Sequence, residues 1–308
     1  MKSTASPAPP LPGLSDRLVR SVRGLLEPDP DRRIDFTMPA GEPALTAPDS
    51  VSWQVFKNPI ALFIGGVTAV LLELGEPRVR TGVWEHTTFR TDPISRMRRT
   101  GLTAMVTVYG ARSKAEAMIA GVGRMHARVS GATPAGELYR ADDPVLLDWV
   151  QATASFGFLE AYHAYVRPLS ASEKNRFYAE ARSAARLYGA TGAPASLAEL
   201  EVQFEAMRPK LEPSGIVLEF LDIVCSAPIL PTPLKPFQRA LVRAAVEIAP
   251  AWLREILELG DEWRLGPWEA KLVRLAGRTA ERIVVAQGPA AQACRRMGLP
   301  ANYLYARR

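Results

Sequence analysis

The chain of 308 residues is 47% hydrophobic and 23% charged, a balance typical of globular proteins, and it is long enough to bury a large core. Its net charge of +6 comes from arginines spread along the sequence without a long basic run, so the charge does not indicate a nucleic-acid partner. Cys225 and Cys294 lie far apart and lack metal-ligand spacing, which argues against a disulfide framework and against a structural zinc site.

The N-terminal region lacks the apolar segment of a secretory signal, and no hydrophobic run is long enough to span a bilayer comfortably. We therefore expect a cytoplasmic protein without a transmembrane segment. Residues 1–50 are rich in Pro, Asp and Ala and predict an N-terminal arm that is partly extended or disordered. One short amphipathic helix is expected within it, over residues 14–26.

The most hydrophobic stretch, residues 59–74, predicts a buried core helix. Pro59 suits the first helical turn, and Gly75 suits the position just past the end. Gly65 and Gly66 lie inside the helix, where the missing side chains would let a neighbouring helix or a flat cofactor approach the backbone.

Asp92 followed by Pro93 is a strong helix start, and it predicts a helix that runs to Tyr109. Arg96, Arg99 and Thr100 occupy positions i, i+3 and i+4 of this helix and therefore share one face. A solvated charged face is the ordinary interpretation of such a pattern. The uncharged continuation LTAMVTVYG indicates that the helix soon becomes buried, which favours a face directed at a binding site.

A further helix is predicted from Ser113 to Ser130, with a capping box formed by Ser113 and Glu116. Its apolar stripe follows spacings of three and four: Ile119, Val122, His126 and Val129. His126 in such a stripe has two interpretations. It is either a core histidine bonded to a carbonyl group or an axial ligand to a buried iron, and the helix by itself favours the first.

Asp143 followed by Pro144 starts another long helix, in which His163 shares a stripe with Trp149 and Phe156. We interpret His163 as a packed core residue in preference to a metal ligand. The remaining chain is a series of capped helical segments, and alternating strand patterns are essentially absent. The sequence therefore predicts a single large all-α domain over residues 51–308.

Several catalytic motifs are missing, among them glycine-rich phosphate loops, the nucleophile elbow, HExxH and paired ExxH motifs. The sequence contains three histidines, His86, His126 and His163. This number is small for a zinc or non-haem iron site built from several imidazoles. A cofactor that needs a single axial ligand, such as haem b, fits this inventory better.

Four stretches between about residues 60 and 210 carry a family resemblance, in the right order and at the right intervals. They are GVWEHTTFRTDPISRMRRTG, RMHARVSG, GELYRADDPVLLDWVQAT and AYHAYVRPLSASEKNRFYAEAR. Together they resemble the MpaB/rubber-oxygenase (latex-clearing-protein) family. The resemblance implies an all-helical domain around a buried pocket for haem b.

By the same resemblance, His126 is the iron ligand, and Arg96 and His86 contribute to cofactor binding. The distal Arg-x-x-Lys-Thr motif of the rubber-cleaving branch corresponds to Arg96, Arg99 and Thr100, with Arg99 in place of the lysine. An arginine stays protonated, so this replacement removes a residue able to ligate iron or act as a base.

Two further positions differ from the family pattern or are left open by it. Gln151 stands where the family has a histidine, and it can hydrogen-bond but cannot relay a proton. The family's distal glutamate has no secure match, and Glu85 is the nearest candidate.

The resulting expectation is a haem b-dependent oxygenase or oxidase that uses O2 on an apolar small molecule or a lipid-like substrate. The candidate catalytic residues are Arg96, Arg99 and Thr100, and the candidate metal ligand is His126. Two alternatives stay open, a non-catalytic haem- or lipid-binding protein and a helical interaction protein without cofactor. A homo-oligomer is also compatible with the sequence.

Overall fold

The computed structural model describes residues 34–306 and shows an all-α domain, as the sequence predicts. The described part holds thirteen α-helices and one short two-stranded hairpin. The short helix predicted over residues 14–26 lies outside the described residues. Residues 34–50 form turns and irregular segments, and the Arg296 guanidinium fixes them by donating to the carbonyl oxygens of Phe36 (2.8 Å) and Glu42 (2.8 Å).

The elements that precede the middle of the chain are α1 (Val51–Phe56), α2 (Pro59–Glu73), α3 (Pro77–His86), α4 (Pro93–Tyr109), α5 (Arg112–His126), β1 (Ser130–Ala132), β2 (Leu138–Arg140) and α6 (Pro144–Tyr165). The remaining helices are α7 (Ala171–Leu187), α8 (Leu197–Met207), α9 (Gly215–Ser226), α10 (Lys235–Glu247), α11 (Ala251–Ile256), α12 (Pro267–Ala280) and α13 (Pro289–Arg296).

Helix α2 lies at the centre of the core, where it packs against α1, α6, α9, α10 and α12. Its N-terminus is capped by Asn58, whose side-chain oxygen accepts from the backbone N–H groups of Ile60 and Ala61 (both 3.1 Å). The same side chain donates to the Gly277 carbonyl oxygen at 2.9 Å, which ties α2 to α12. Because α2 is surrounded by other helices, most of its residues are buried.

The crossing of α2 and α6 explains one of the two adjacent glycines. A Cβ atom on Gly65 would lie 2.6 Å from the Cα of Phe158, and the facing residue of α6 is also a glycine, Gly157. Gly65 therefore admits a neighbouring helix and leaves no space there for a flat cofactor. Gly66 is different, because a Cβ atom there would find its nearest neighbour 3.9 Å away, on the Phe158 ring.

Two local predictions around α5 are wrong. The helix begins at Arg112 with Ala111 as a cap that makes no side-chain bond, and the predicted capping box is absent. Ser113 instead donates its backbone N–H (2.6 Å) and its hydroxyl (3.0 Å) to the distant carboxylate of Glu42. The helix ends at His126, four residues before the predicted end at Ser130, and Ser130 instead pairs with Arg140 in the β-hairpin that follows.

Within residues 34–306 no single helix has the length and apolar composition to span a membrane. The pair α2 and α3, bent by 114° at the break between them, meets both criteria when taken together.

The two glycines of α2 give a matched stability test. Gly65→Ala should lower the free energy of unfolding by about 1–3 kcal/mol, because the new methyl group would overlap the backbone of α6. Gly66→Ala should leave stability unchanged or raise it by up to about 1 kcal/mol, because the space is open and alanine favours a helix. Urea denaturation followed by circular dichroism measures both. Equal losses in the two variants would contradict the close crossing at Gly65.

Candidate functional site

One face of α2 remains partly accessible among the surrounding helices. Gly66, Val70 and Glu73, at spacings of four and three, share this face and retain accessible surface, whereas the other faces of the helix are largely buried. The Glu73 side chain is only partly accessible, and burial shifts the pKa of its carboxyl. The space beside this face is bordered by two apolar residues and one carboxyl, and it forms the candidate site.

Glu73 is the most strongly perturbed carboxyl of this space. Burial raises its pKa to about 8, and the nearby Arg96 guanidinium and the Thr153 hydroxyl only partly offset this effect. At neutral pH the carboxyl is therefore largely protonated, with a proton that it can release close to physiological pH. The Thr153 hydroxyl lies within hydrogen-bond distance of the backbone carbonyl oxygens of Trp149 (3.0 Å) and Val150 (2.9 Å), which fix its position on α6.

Arg96 reaches this space from α4. The helix starts at the position that Asp92 caps, since the Asp92 carboxylate accepts from the Ser95 backbone N–H at 3.2 Å. One turn into the helix, the Arg96 guanidinium donates to the Thr100 hydroxyl, which in turn donates to the Arg96 carbonyl oxygen at 3.0 Å. Burial lowers the pKa of Arg96, and the charge of Arg99 acts in the same direction, while Glu73 opposes both.

His126 lies at the C-terminal end of α5 and is partly buried. Burial and the Arg96 charge lower the pKa of the imidazole, and Asp142 opposes them weakly. The ring is therefore neutral at physiological pH, with a nitrogen lone pair available to a metal. No residue between 34 and 306 forms a hydrogen bond with the ring. One turn earlier, a Cβ atom on Gly123 would meet no atom within 4 Å, so the space beside this glycine is open.

Arg96 links Glu73 and His126 electrostatically. Arg96 lies close enough to Glu73 and to His126 for its charge to shift the pKa values of both. Glu73 comes from α2, Arg96 from α4 and His126 from α5. The structure thus brings together two of the residues predicted from sequence and adds Glu73, which the sequence reasoning missed.

The other predicted residues have different surroundings. The Arg99 side chain is exposed and donates to the Thr88 hydroxyl at 2.8 Å, in the segment between α3 and α4. His86 is exposed, with its Nε2 atom 3.2 Å from the Tyr139 hydroxyl of the hairpin. Glu85, its neighbour, is exposed as well, and the carboxyl beside Arg96 is that of Glu73. Thr100 stays with Arg96, as the helical spacing predicts.

The two positions on α6 have local roles. The Nδ1 atom of His163 accepts from the Leu169 backbone N–H at 2.9 Å, so this ring closes the C-terminal end of the helix. Gln151 donates to the Ser155 hydroxyl at 3.2 Å, one turn further along. In residues 34–306 no three His, Cys, Asp or Glu side chains cluster as a metal-binding group.

A comparison with models of protein families identifies the family to which the chain belongs. A family model described as "ER-bound oxygenase mpaB/B'/Rubber oxygenase, catalytic domain" matches residues 53–282, which is more than half of the chain. The chain belongs to this family. The resemblance seen in the sequence is thereby confirmed, and the protein carries an oxygenase catalytic domain, which makes it an oxidoreductase. No curated protein and no solved structure gives a significant match.

The part of the chain that matches the family model includes the whole candidate site. It begins in α1 and ends just after α12, so it contains α2, α4, α5 and α6. Glu73, Arg96 and His126 therefore all lie within the oxygenase domain.

The raised pKa of Glu73 predicts a pH dependence of stability. The folded state holds a proton that the unfolded chain loses near pH 4.5, so the free energy of unfolding should fall between about pH 5 and 8. Glu73→Gln keeps the neutral shape and should remove this loss, which amounts to a few kcal/mol at about 1.4 kcal/mol per pKa unit. Urea denaturation at several pH values measures the slope.

The matched control for this variant is Glu201→Gln, which changes an exposed glutamate of α8. It should keep the pH slope of the wild type. A Glu73→Gln variant whose slope also equals that of the wild type would contradict a buried, protonated Glu73.

Proposed function

We propose that this oxygenase binds haem b through His126 and uses O2 to oxidise an apolar small molecule or a lipid-like substrate. The observation that supports the proposal is the neutral His126 imidazole, which lies near Arg96, itself close to the protonated Glu73 carboxyl. Membership of an oxygenase family gives the reaction class, and the residues around the space suggest the cofactor.

The residues present fit a haem group. Haem iron needs a single protein nitrogen as its proximal ligand, and the His126 ring is neutral and free of hydrogen bonds from the described residues. The open space beside Gly123, one turn before His126, and the accessible face of α2 are the places that a flat macrocycle would occupy. Arg96 adds a cation that can pair with a carboxylate of the cofactor or with negative charge that develops during the reaction.

Haem b bound to His126 would supply the activation of O2. Around it, Arg96 offers hydrogen-bond donors that are already oriented, because the Thr100 hydroxyl accepts one of them. Donors held in place before the reaction stabilise developing negative charge without a further cost of reorganisation. Arg96 and Thr100 are thus the better-supported catalytic pair, since the Arg99 side chain is already bonded to Thr88.

Glu73 is suited to hold and move a proton. A carboxyl with a pKa of about 8 is a better proton donor or acceptor at neutral pH than one with an ordinary pKa. Its carboxyl lies close enough to Arg96 for the two charges to interact, and Gly66 and Val70 share its face of α2. This combination of an apolar wall and few polar groups favours an apolar substrate.

Haem binding can be tested with two histidine variants. The purified chain reconstituted with haem b should show a Soret band, and His126→Ala should abolish it because the iron loses its ligand. His163→Ala serves as the control and should retain the band, since its imidazole caps α6. Absorbance spectra record both. A band that survives in His126→Ala and disappears in His163→Ala would reverse the assignment.

Catalysis needs a separate test, because haem binding alone also suits a carrier or a sensor. We expect the reconstituted protein, supplied with a reductant, to consume O2 when terpenoid or polyene substrates are added, and to form oxygenated products. Arg96→Gln should lower the rate at least tenfold while keeping the Soret band, because one oriented charged donor is lost. A haem-loaded protein that consumes no O2 with any substrate of the panel would favour the non-catalytic alternative.

A further inference from the structure

The outer face of α12 is apolar and exposed. The inner face of this helix packs into the core through Val273, Ala276 and Ala280. On the opposite side, three large apolar residues share a stripe at spacings of four and three: Trp268 (79% exposed), Leu272 (38%) and Leu275 (59%). Besides the apolar face that packs into the core, α12 thus carries a second apolar stripe that is exposed.

Three cations flank this stripe along one side. Lys271, Arg274 and Arg278, at spacings of three and four, are all exposed, and none of them pairs with a carboxylate anywhere in residues 34–306. Lys271 lies over the Trp268 ring, with Nζ 4.4 Å from the ring centre, so the cationic and apolar groups form one continuous surface.

The acidic residue of the helix does not neutralise this surface. Glu269 accepts from Arg243 at 2.8 Å through Oε1 and from the Gly266 backbone N–H at 2.8 Å through Oε2. The Glu269 carboxylate is therefore already paired at the start of α12. The outer face keeps three positive charges beside three large apolar side chains. Such a surface is complementary to a partner that has negative charges at its surface and an apolar layer below them.

We propose that the outer face of α12 docks the protein on the surface of a membrane that contains anionic phospholipids. Helices that lie in the membrane interface combine an apolar stripe with flanking lysines and arginines. Tryptophan is enriched at the level of the lipid headgroups, and each cation near an anionic surface adds to the attraction. The inference concerns a surface outside the candidate site and does not depend on haem.

The same charges argue against a second copy of the chain as the occupant. A symmetric contact through this face would place Lys271, Arg274 and Arg278 of one molecule against the same cations of the other. Like charges at such a contact repel, whereas anionic headgroups attract all three.

Vesicle sedimentation tests the docking with the full chain. We expect the protein to bind vesicles of phosphatidylcholine mixed with phosphatidylglycerol more strongly than vesicles of phosphatidylcholine alone, and to lose binding as NaCl rises. Brominated lipids should quench the fluorescence of Trp268, and the variant Trp268→Phe should show less quenching. Both readouts report contact with the lipid itself.

Two sets of variants separate the contribution of the cations from that of the apolar side chains. The charge variant is Lys271→Gln, Arg274→Gln and Arg278→Gln, and its control removes three exposed cations elsewhere, with Arg112→Gln, Arg186→Gln and Lys210→Gln. The apolar variant is Leu272→Ser with Leu275→Ser, and its control is Leu187→Ser (46% exposed) with Val202→Ser (71% exposed). Each neutralised cation of α12 should lower the partition coefficient by about fivefold.

The expected result is a loss of binding in both α12 variants and wild-type binding in the apolar control. The charge control should bind anionic vesicles more tightly than the α12 charge variant, although the two have the same net charge. Absence of binding to anionic vesicles would overturn the proposal. So would equal binding by each α12 variant and its control, or α12 variants that change the oligomeric mass in solution without affecting vesicle binding.

Discussion

The candidate site depends on one electrostatic arrangement, the burial of a carboxyl on α2 beside a guanidinium on α4. Burial alone would hold Glu73 strongly in its neutral form, and Arg96 draws the pKa back to about 8, near the pH at which proton transfer is useful. Burial and the same arginine lower the pKa of His126, so its imidazole is neutral. One cation thus acts on both neighbours, a proton-holding carboxyl and a nitrogen suited to a metal.

The packing of α2 on α6 puts the carboxyl in this position. Gly65 and Gly157 let the two helices approach closely, and Thr153, one turn before Gly157, faces the end of α2 where Glu73 lies. Because the crossing fixes the height and rotation of α2, it also determines that Gly66, Val70 and Glu73 lie on the face that remains accessible. The hydrophobic core and the site therefore rest on the same contact, and a change at the crossing should affect both.

Features that depend on local sequence could be predicted, and those that depend on distant partners could not. The helix start at Asp92 and the apolar character of α2 follow from neighbouring residues, and both agree with the structure. The capping box at Ser113 failed because the helix already begins at Arg112, and the carboxylate of Glu42, far away in sequence, accepts from the Ser113 backbone N–H and hydroxyl. Glu73 escaped notice because only the tertiary packing encloses it beside Arg96. A single charged residue at the end of the most apolar helix was the available signal.

We propose that the space beside α2, α4 and α5 holds haem iron on His126. A crystal structure of the protein grown with haem b tests it most directly. The account predicts an iron bonded to a nitrogen of the His126 ring, with Arg96 and Glu73 lining the same pocket. An iron bound to His86 or His163, or haem located away from α2 and α5, would contradict it.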